Sequence, residues 1–216
     1  MTKPAFWDDA TRALSRRDRV LRKLIAAHPD IHLTRRGDPF TTLARAIVGQ
    51  QISVAAAAAV WGRFALAAQG RDADGALAIA LDPARVARMR VTTMRRCGFS
   101  ERKAEYVRDL ARHFVSGRLA PHTWSVLDDE ALIKALVDVK GIGRWTAEMF
   151  LMFHEVRADV LPVADIGLQN AMALHYNKGE RMLPAQMRIH AQRWAPWRSV
   201  ATWYLWRSLE PVPVQY

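Results

Sequence analysis

The feature that most constrains this chain is a Gly-x-Gly turn, Gly141-Ile142-Gly143, between two stretches whose apolar residues have helical spacing. Glycine reaches backbone dihedral angles that other residues avoid, so two glycines one residue apart predict a tight turn. A helix predicted from Arg144 to about His154 follows at once. Its free N–H groups and positive dipole end favour a phosphate at the turn. Spacing alone leaves open a second interpretation, a tight helix–helix turn with no ligand.

Helical patterns continue along nearly the whole chain, and we find no convincing β-sheet. Good capping residues precede several of the patterns: Ser53, Ser100, and Asp128 or Asp129. The alanine run 55–59 is interpreted as a close-packing face for a neighbouring helix, and a loop is expected at 69–72. We therefore predict an all-α fold, in which short helices lie between the loop at 69–72 and Met94. The longer helices are predicted over 8–27 (capped at Asp8 or Asp9), 40–48, 54–67, 101–116, 129–137, 144–154, 165–176, 184–194 and 196–209.

Charge and cysteine content narrow the functional class. The chain of 216 residues has a formal net charge of +11, which favours a polyanionic partner, nucleic acid before membrane. The single Cys97 excludes an internal disulfide and a cysteine cluster for zinc or iron–sulfur, and the seven histidines lack metal-ligand spacing. No apolar run has the length of a signal-peptide core or a membrane span. We expect a cytoplasmic protein without a membrane partner, associated with the nucleoid if it is bacterial.

Asp165 is the first candidate for chemistry. It precedes an apolar pattern and is expected to cap the helix that follows. Capping alone and a reactive carboxylate both remain open, and they are compatible, since a capping carboxylate beside a pocket is also a fixed negative charge.

Tryptophans and paired basic residues form the second group of candidates. Trp61, Trp194 and Trp203 are expected in the core, while at least one other tryptophan is expected to line a pocket where a flat base stacks. The pairs Arg95-Arg96 and Arg102-Lys103 are candidates for phosphate contacts, and the alternative is solvated surface charge.

Three stretches together resemble a known family: Ala46–Ser53, Lys140–Ala147 with its spaced Asp165, and Trp194–Ser199. The chain resembles the helix–hairpin–helix (HhH-GPD) superfamily of DNA glycosylases, in particular the 3-methyladenine DNA glycosylase II branch. The resemblance implies a two-lobed helical fold with the active site in the cleft between the lobes. It also implies one catalytic domain over residues 1–216, a helix–hairpin–helix motif at about 128–154, and no separate N-terminal β domain.

The resemblance also implies roles for individual residues. Asp165 matches the aspartate that is essential for catalysis, and Met149 and Trp206 match positions that line the base pocket. Trp145 stands where the relatives that also cut the backbone have a lysine nucleophile. Because an indole forms no Schiff base, we expect base removal without a lyase step, with Trp145 as a third pocket residue.

Contacts to DNA are implied for the hairpin and for the loop before Ser53. Gln51 stands where the family inserts a side chain into the gap that a flipped nucleotide leaves. No cofactor is required, but Na⁺ or K⁺ is implied at the hairpin when DNA is bound, held by the backbone carbonyls of Val137, Val139 and Ile142. The expected DNA-binding residues are Gln50, Gln51, Lys140, Gly141, Ile142, Gly143, Arg144 and Thr146.

The chemistry of the leaving group predicts the substrate. Breaking an N-glycosidic bond leaves positive charge on the sugar, which a nearby carboxylate such as Asp165 stabilises. Purines alkylated at N3 or N7 are already cationic, so they leave easily and favour an aromatic face. We expect a monofunctional enzyme, acting as a monomer on double-stranded DNA, that excises 3-methyladenine and 7-methylguanine.

Two alternatives remain open. One is a glycosylase of different specificity, for deaminated or oxidised bases or with lyase activity. The other is a non-catalytic helix–hairpin–helix DNA-binding protein. Two departures from the family pattern bear on substrate range and DNA contact. Lys140 replaces the usual proline before the first hairpin glycine. The residues around Asp165 (Ala164, Ile166, Gly167) differ from those of the longer alkylation enzyme, the family member that has an extra N-terminal β-rich domain.

Overall fold

The computed structural model describes residues 2–35, 37–69 and 80–209, and within these ranges every regular element is helical. The all-α prediction is confirmed. The predicted loop at 69–72 lies outside the described residues except for Gln69. Two short 3-10 helices cover Pro121–Val126 and Gln192–Trp194, and the α-helices are α1 (Trp7–Arg17), α2 (Arg19–Ala27), α3 (Pro39–Gly49), α4 (Val54–Ala68), α5 (Pro83–Arg88), α6 (Val91–Arg96), α7 (Glu101–Val115), α8 (Asp129–Val137), α9 (Arg144–Phe153), α10 (Ile166–Tyr176), α11 (Pro184–Ala191) and α12 (Arg198–Arg207).

The chain divides into two compact units, in agreement with the expected two lobes. Unit 1 comprises Met1–Arg35 and Leu151–Tyr216, and unit 2 comprises Arg36–Phe150. Unit 1 contains the candidate carboxylate Asp165, and unit 2 contains the glycine hairpin. Helix α9 begins in unit 2, and its last residues belong to unit 1.

The predicted single helix from Asp8 or Asp9 to Ala27 is wrong, because Asp18 divides it into α1 and α2. Asp18 has extended backbone angles (φ −140°, ψ 118°), and its carboxylate accepts hydrogen bonds from the N–H groups of Val20 and Leu21, so it caps α2. Neither predicted residue caps α1, which begins at Trp7 after Phe6 without a side-chain cap.

Asp18 also organises the core of unit 1. It is 4% exposed, and its second oxygen accepts hydrogen bonds from the Tyr176 hydroxyl (3.0 Å) and the Trp194 indole N–H (2.9 Å). One carboxylate therefore joins α2, α10 and the segment after α11. Trp194 is fully buried, as predicted.

Helix α7 is the centre of unit 2, where α3, α5 and α6 pack against it. The predicted caps are confirmed for three helices, since Ser53, Ser100 and Asp128 each accept a backbone N–H of the first turn. The interpretation of the alanine run 55–59 is wrong. Ala57 is half-buried and the other four alanines are exposed, because α4 buries its far end, at Phe64 and Ala68, instead.

Candidate active site

Asp165 caps α10, as predicted. Its carboxylate oxygen Oδ1 accepts the backbone N–H of Leu168 at 2.7 Å, and the residue is 5% exposed. The cap fixes the carboxylate at the positive end of the helix dipole, which favours a negative charge there. Asp165 is thus a buried, oriented carboxylate in unit 1.

Trp206 donates a second hydrogen bond to the same oxygen. Its indole Nε1 lies 2.8 Å from Asp165 Oδ1, and the residue is 6% exposed. Phe153 stacks on the Trp206 ring, with ring centroids 5.8 Å apart and planes at 11°. An aromatic pair therefore lies directly beside the carboxylate, and one of its members orients that carboxylate. The sequence prediction placed Trp206 in the pocket but did not foresee this bond.

Gly167 makes the contact between Trp206 and Asp165 possible. A Cβ at position 167 would lie 3.0 Å from Cδ1 of Trp206 and 3.1 Å from Oδ1 of Asp165. Both distances are too short for an unstrained contact, so the indole reaches the carboxylate only past a residue without a side chain. Gly167 is one of the departures from the longer alkylation enzyme, and its role was missed.

The start of α12, the helix that holds Trp206, is fixed by the preceding loop. The Arg198 guanidinium donates to both carboxylate oxygens of Asp159, each at 2.7 Å. The Ser199 hydroxyl accepts the backbone N–H of Val160 at 2.9 Å, and Ser199 is fully buried. Two-point pairing of a guanidinium with a carboxylate sets direction as well as distance. The supporting Trp194–Ser199 motif thus sets the position of α12.

The hairpin in unit 2 forms the predicted tight turn. Gly141 has φ +85°, and a Cβ there would lie 2.1 Å from the Tyr106 ring, so both backbone angle and space require glycine. Gly143 does not have positive φ and faces open space. Gly143 is an exposed residue that directly precedes α9.

The other predicted DNA contacts of the hairpin differ in exposure. Lys140 is exposed, and its backbone N–H donates to Asp109 Oδ2 at 2.9 Å. Ile142 is buried at 3% exposure, and Thr146 is buried at 9%. The exposed part of the turn is therefore formed by Lys140, Gly143 and the first residue of α9.

Arg144 is exposed but has carboxylate partners within its own unit. Its guanidinium donates to Glu130 at 2.9 Å and to the buried Glu148 at 2.9 Å. The hydrogen bond to Glu130, above all, raises the Arg144 pKa. A phosphate at this position would meet a guanidinium whose charge is already balanced.

The loop before Ser53 is joined to the hairpin. The Gln50 side-chain amide donates to the carbonyl of Gly141 at 2.9 Å. Gln51, the residue expected to enter the DNA gap, is exposed and has φ +58°. The structure thus presents Gln51 outward while Gln50 contacts the protein.

The remaining predicted pocket residues lie on α9 in unit 2. Trp145 is 38% exposed, and Met149 is 9% exposed. Residues four apart on a helix lie on one face, so the two side chains are neighbours along α9. The predicted core role of Trp203 is confirmed at 8% exposure, whereas Trp61 is only half-buried.

Among residues 2–35, 37–69 and 80–209, no three His, Cys, Asp or Glu side chains are grouped to hold a metal ion. The three carbonyls implied for a monovalent cation fit its chemistry, since Na⁺ and K⁺ bind neutral backbone oxygens. The Val139 carbonyl accepts the Ile142 N–H at 3.1 Å, and a carbonyl has a second lone pair for a further partner. Val137, at the end of α8, is 41% exposed.

In the part of the chain that the structure describes, no helix is long and apolar enough to cross a membrane.

These features define a class: an all-helical protein with a glycine hairpin between two helices and a buried, capping aspartate beyond it. A model of the HhH-GPD superfamily of base excision DNA repair proteins matches residues 44–198. The chain belongs to this superfamily.

Named relatives and solved structures agree with this assignment. The chain is 34% identical to the putative DNA-3-methyladenine glycosylase YfjP of Bacillus subtilis over 79% of its length, and spans 59% of that relative. It is 32% identical to DNA-3-methyladenine glycosylase 1 of Schizosaccharomyces pombe, covering 86% of this chain and 79% of that one. A Bacillus halodurans DNA-3-methyladenine glycosidase structure superposes with a TM-score of 0.85 at 34% identity, covering 96% and 92% of the two chains. The S. pombe Mag1 structure in complex with abasic DNA gives 0.76 at 30% identity, covering 93% and 96%.

Proposed function

We propose that this protein is a monofunctional DNA glycosylase of base excision repair that removes alkylated purines, 3-methyladenine and 7-methylguanine, from double-stranded DNA. The observation that supports this most is the buried Asp165 carboxylate, oriented by the Leu168 N–H and the Trp206 indole N–H. Both relatives carry names of DNA-3-methyladenine glycosylases, that of B. subtilis as a putative one, which favours alkylated bases over deaminated or oxidised ones.

Asp165 stabilises the positive charge that develops on the sugar in the transition state. As the N-glycosidic bond breaks, the electron pair goes to the base and the sugar becomes cationic. A fixed carboxylate costs no reorganisation at that moment, and it can also accept a proton from the attacking water. Because the Leu168 and Trp206 donors hold Oδ1 in place, the carboxylate is already oriented before the substrate binds.

Aromatic faces supply the preference for cationic bases. Trp206 and its stacked partner Phe153 lie beside Asp165 in unit 1, and Trp145 and Met149 are proposed as further pocket residues. A cation over an aromatic face gains about 0.5–2 kcal/mol, a preference that a neutral purine does not receive. An indole at position 145 cannot form a Schiff base, so the strand stays uncut.

The hairpin and the Gln50–Gln51 loop are proposed to hold the DNA. Exposed Lys140 and the amides at the start of α9 favour a phosphate, and Gln51 fills the gap left by the flipped nucleotide. The carbonyls of Val137, Val139 and Ile142 are proposed to hold Na⁺ or K⁺, which would add positive charge toward that phosphate. We also propose that the protein is a monomer and works in the cytoplasm.

The test is release of free base from methylated duplex DNA by the wild type and by Asp165→Asn. Asparagine keeps an oxygen for the cap but removes the negative charge, so we expect release to fall at least about a hundredfold while DNA binding persists. The matched control is Asp82→Asn, which makes the same change at the capping residue of α5.

Equal release by the wild type and Asp165→Asn would refute the role of Asp165. No release by the wild type on DNA that it binds would favour a plain DNA-binding protein. Release of deaminated or oxidised bases alone would move the substrate assignment to those lesions.

A further inference from the structure

The loop that presents Gln51 is held by a side chain outside the predicted site. Lys103 on α7 donates from Nζ to the carbonyl of Val48 at 2.7 Å and to the carbonyl of Gln50 at 2.6 Å. Lys103 is half-buried, and burial lowers its pKa. The pair Arg102-Lys103 was a candidate for phosphate contact, but this ammonium group is directed at the protein's own backbone.

These two carbonyls lie where α3 ends, at Gly49. The last carbonyls of a helix have no partner within the helix, and a cation there also complements the negative end of the helix dipole. A lysine that spans the end of α3 therefore fixes the path of the chain into the next residue, Gln51. That residue has φ +58°, a region that residues other than glycine occupy sparsely.

The same helix α7 also holds the hairpin. The Tyr106 ring lies against Gly141, and Asp109 accepts the backbone N–H of Lys140. Positions 103, 106 and 109 follow each other at intervals of three, so they share one side of α7. The hydrogen bond from Gln50 to the Gly141 carbonyl then joins the loop to the hairpin directly.

We infer that Lys103 is a positioning residue, which fixes the Gln50–Gln51 loop so that Gln51 can occupy the gap left by a flipped nucleotide. The inference rests on the proposed function for the role of Gln51. Lys103 is not proposed to contact the DNA. It acts through the backbone carbonyls of Val48 and Gln50.

The inference is tested by binding, which needs no base removal. The probe is a duplex with a tetrahydrofuran abasic site, compared with the same duplex intact, and the readout is the ratio of the two dissociation constants. Loss of a positive charge weakens both complexes alike through the phosphates. Loss of a correctly placed Gln51 weakens only the complex with the abasic duplex.

We expect Lys103→Met to reduce the preference for the abasic duplex about as much as Gln51→Ala does, roughly tenfold if the placed Gln51 contributes one hydrogen bond to the complex. The matched control is Arg112→Met, which removes a positive charge from an exposed position on the same helix and should leave the ratio unchanged. In a Gln51→Ala background, Lys103→Met should reduce the ratio no further, because both changes remove the same contribution.

An unchanged ratio of the dissociation constants in Lys103→Met would overturn the inference. It would also be overturned if Lys103→Met lowered the ratio in the Gln51→Ala background by the same factor as in the wild type. If thermal unfolding shows that Lys103→Met does not fold, Lys103→Gln replaces it, because its amide keeps a donor but reaches one bond less far and has no charge. The same ratios then decide.

The two proposals fail separately. If the wild type releases no base but its abasic preference depends on Lys103, the proposed function fails and the positioning role stands. If the wild type releases base but Lys103→Met keeps the preference, the positioning role fails alone. A wild type without any abasic preference would overturn the role given to Gln51, and the inference with it.

Discussion

Changing Trp206 to phenylalanine tests whether the indole N–H matters to the reaction. Phenylalanine keeps an aromatic ring to stack on Phe153 but cannot donate to Asp165 Oδ1, which now accepts at 2.8 Å. A hydrogen bond to a charged group contributes about 1.5–3 kcal/mol. If that bond is used to orient the carboxylate in the transition state, its loss lowers the single-turnover rate of base release roughly ten- to 150-fold.

The matched control is Trp203→Phe on the same helix. Trp203 is buried and also contacts Phe153, with ring centroids 6.0 Å apart, but its indole N–H has no hydrogen-bond partner among the described residues. Both substitutions remove part of a buried indole, at a cost of about 1–3 kcal/mol of stability. The control thus reproduces the packing loss without a lost hydrogen bond.

The assay is single-turnover release of 7-methylguanine from a duplex at saturating enzyme, with thermal unfolding measured for each variant. We expect Trp206→Phe to lose activity well beyond Trp203→Phe at a temperature where both variants are folded, although the lost hydrogen bond also costs Trp206→Phe more stability. Equal rates in the two variants would refute the reasoning, because the indole N–H would then contribute nothing beyond packing.

The contact at Gly167, the carboxylate of Asp18 and two histidines of unit 1 can each be tested separately. Gly167→Ala should lower the rate of base release at least about tenfold, because its methyl group displaces Trp206; a rate equal to that of the wild type would contradict this. Asp18→Ala should reduce the free energy of unfolding by about 3 kcal/mol in urea titration, because two buried and two half-buried donors lose one carboxylate; a change within 0.5 kcal/mol, roughly the scatter of surface substitutions, would contradict it. Desolvation lowers the pKa of His175 and His190 in the folded protein. Their stabilising contribution is therefore present above the unfolded pKa of about 6.5 and lost as pH falls through the folded values, so the melting temperature should drop on acidification and drop less in His190→Gln.

Local chemistry made several elements predictable. Ser53, Ser100, Asp128 and Asp165 were identified as caps because a short polar side chain before an apolar helical pattern binds the first-turn N–H groups. The hairpin was identified for a similar reason, since the φ of +85° at Gly141 is a local requirement that only glycine meets easily.

Other features depend on contacts that no local pattern encodes. The bond between Trp206 and Asp165 joins residues 41 positions apart, and the bond between Lys103 and Gln50 joins residues 53 apart. The break at Asp18 was missed because neither glycine nor proline marks it. The partners that hold Asp18 in place, Tyr176 and Trp194, lie more than 150 positions along the chain.

The most direct test of the proposed activity is analysis of both products from methylated duplex DNA incubated with the wild-type protein. We expect free 3-methyladenine together with a strand that stays intact until alkali cleaves it at the abasic site. A strand already cut before alkali treatment, or methylated DNA from which no base is released, would contradict the assignment as a monofunctional glycosylase for alkylated purines.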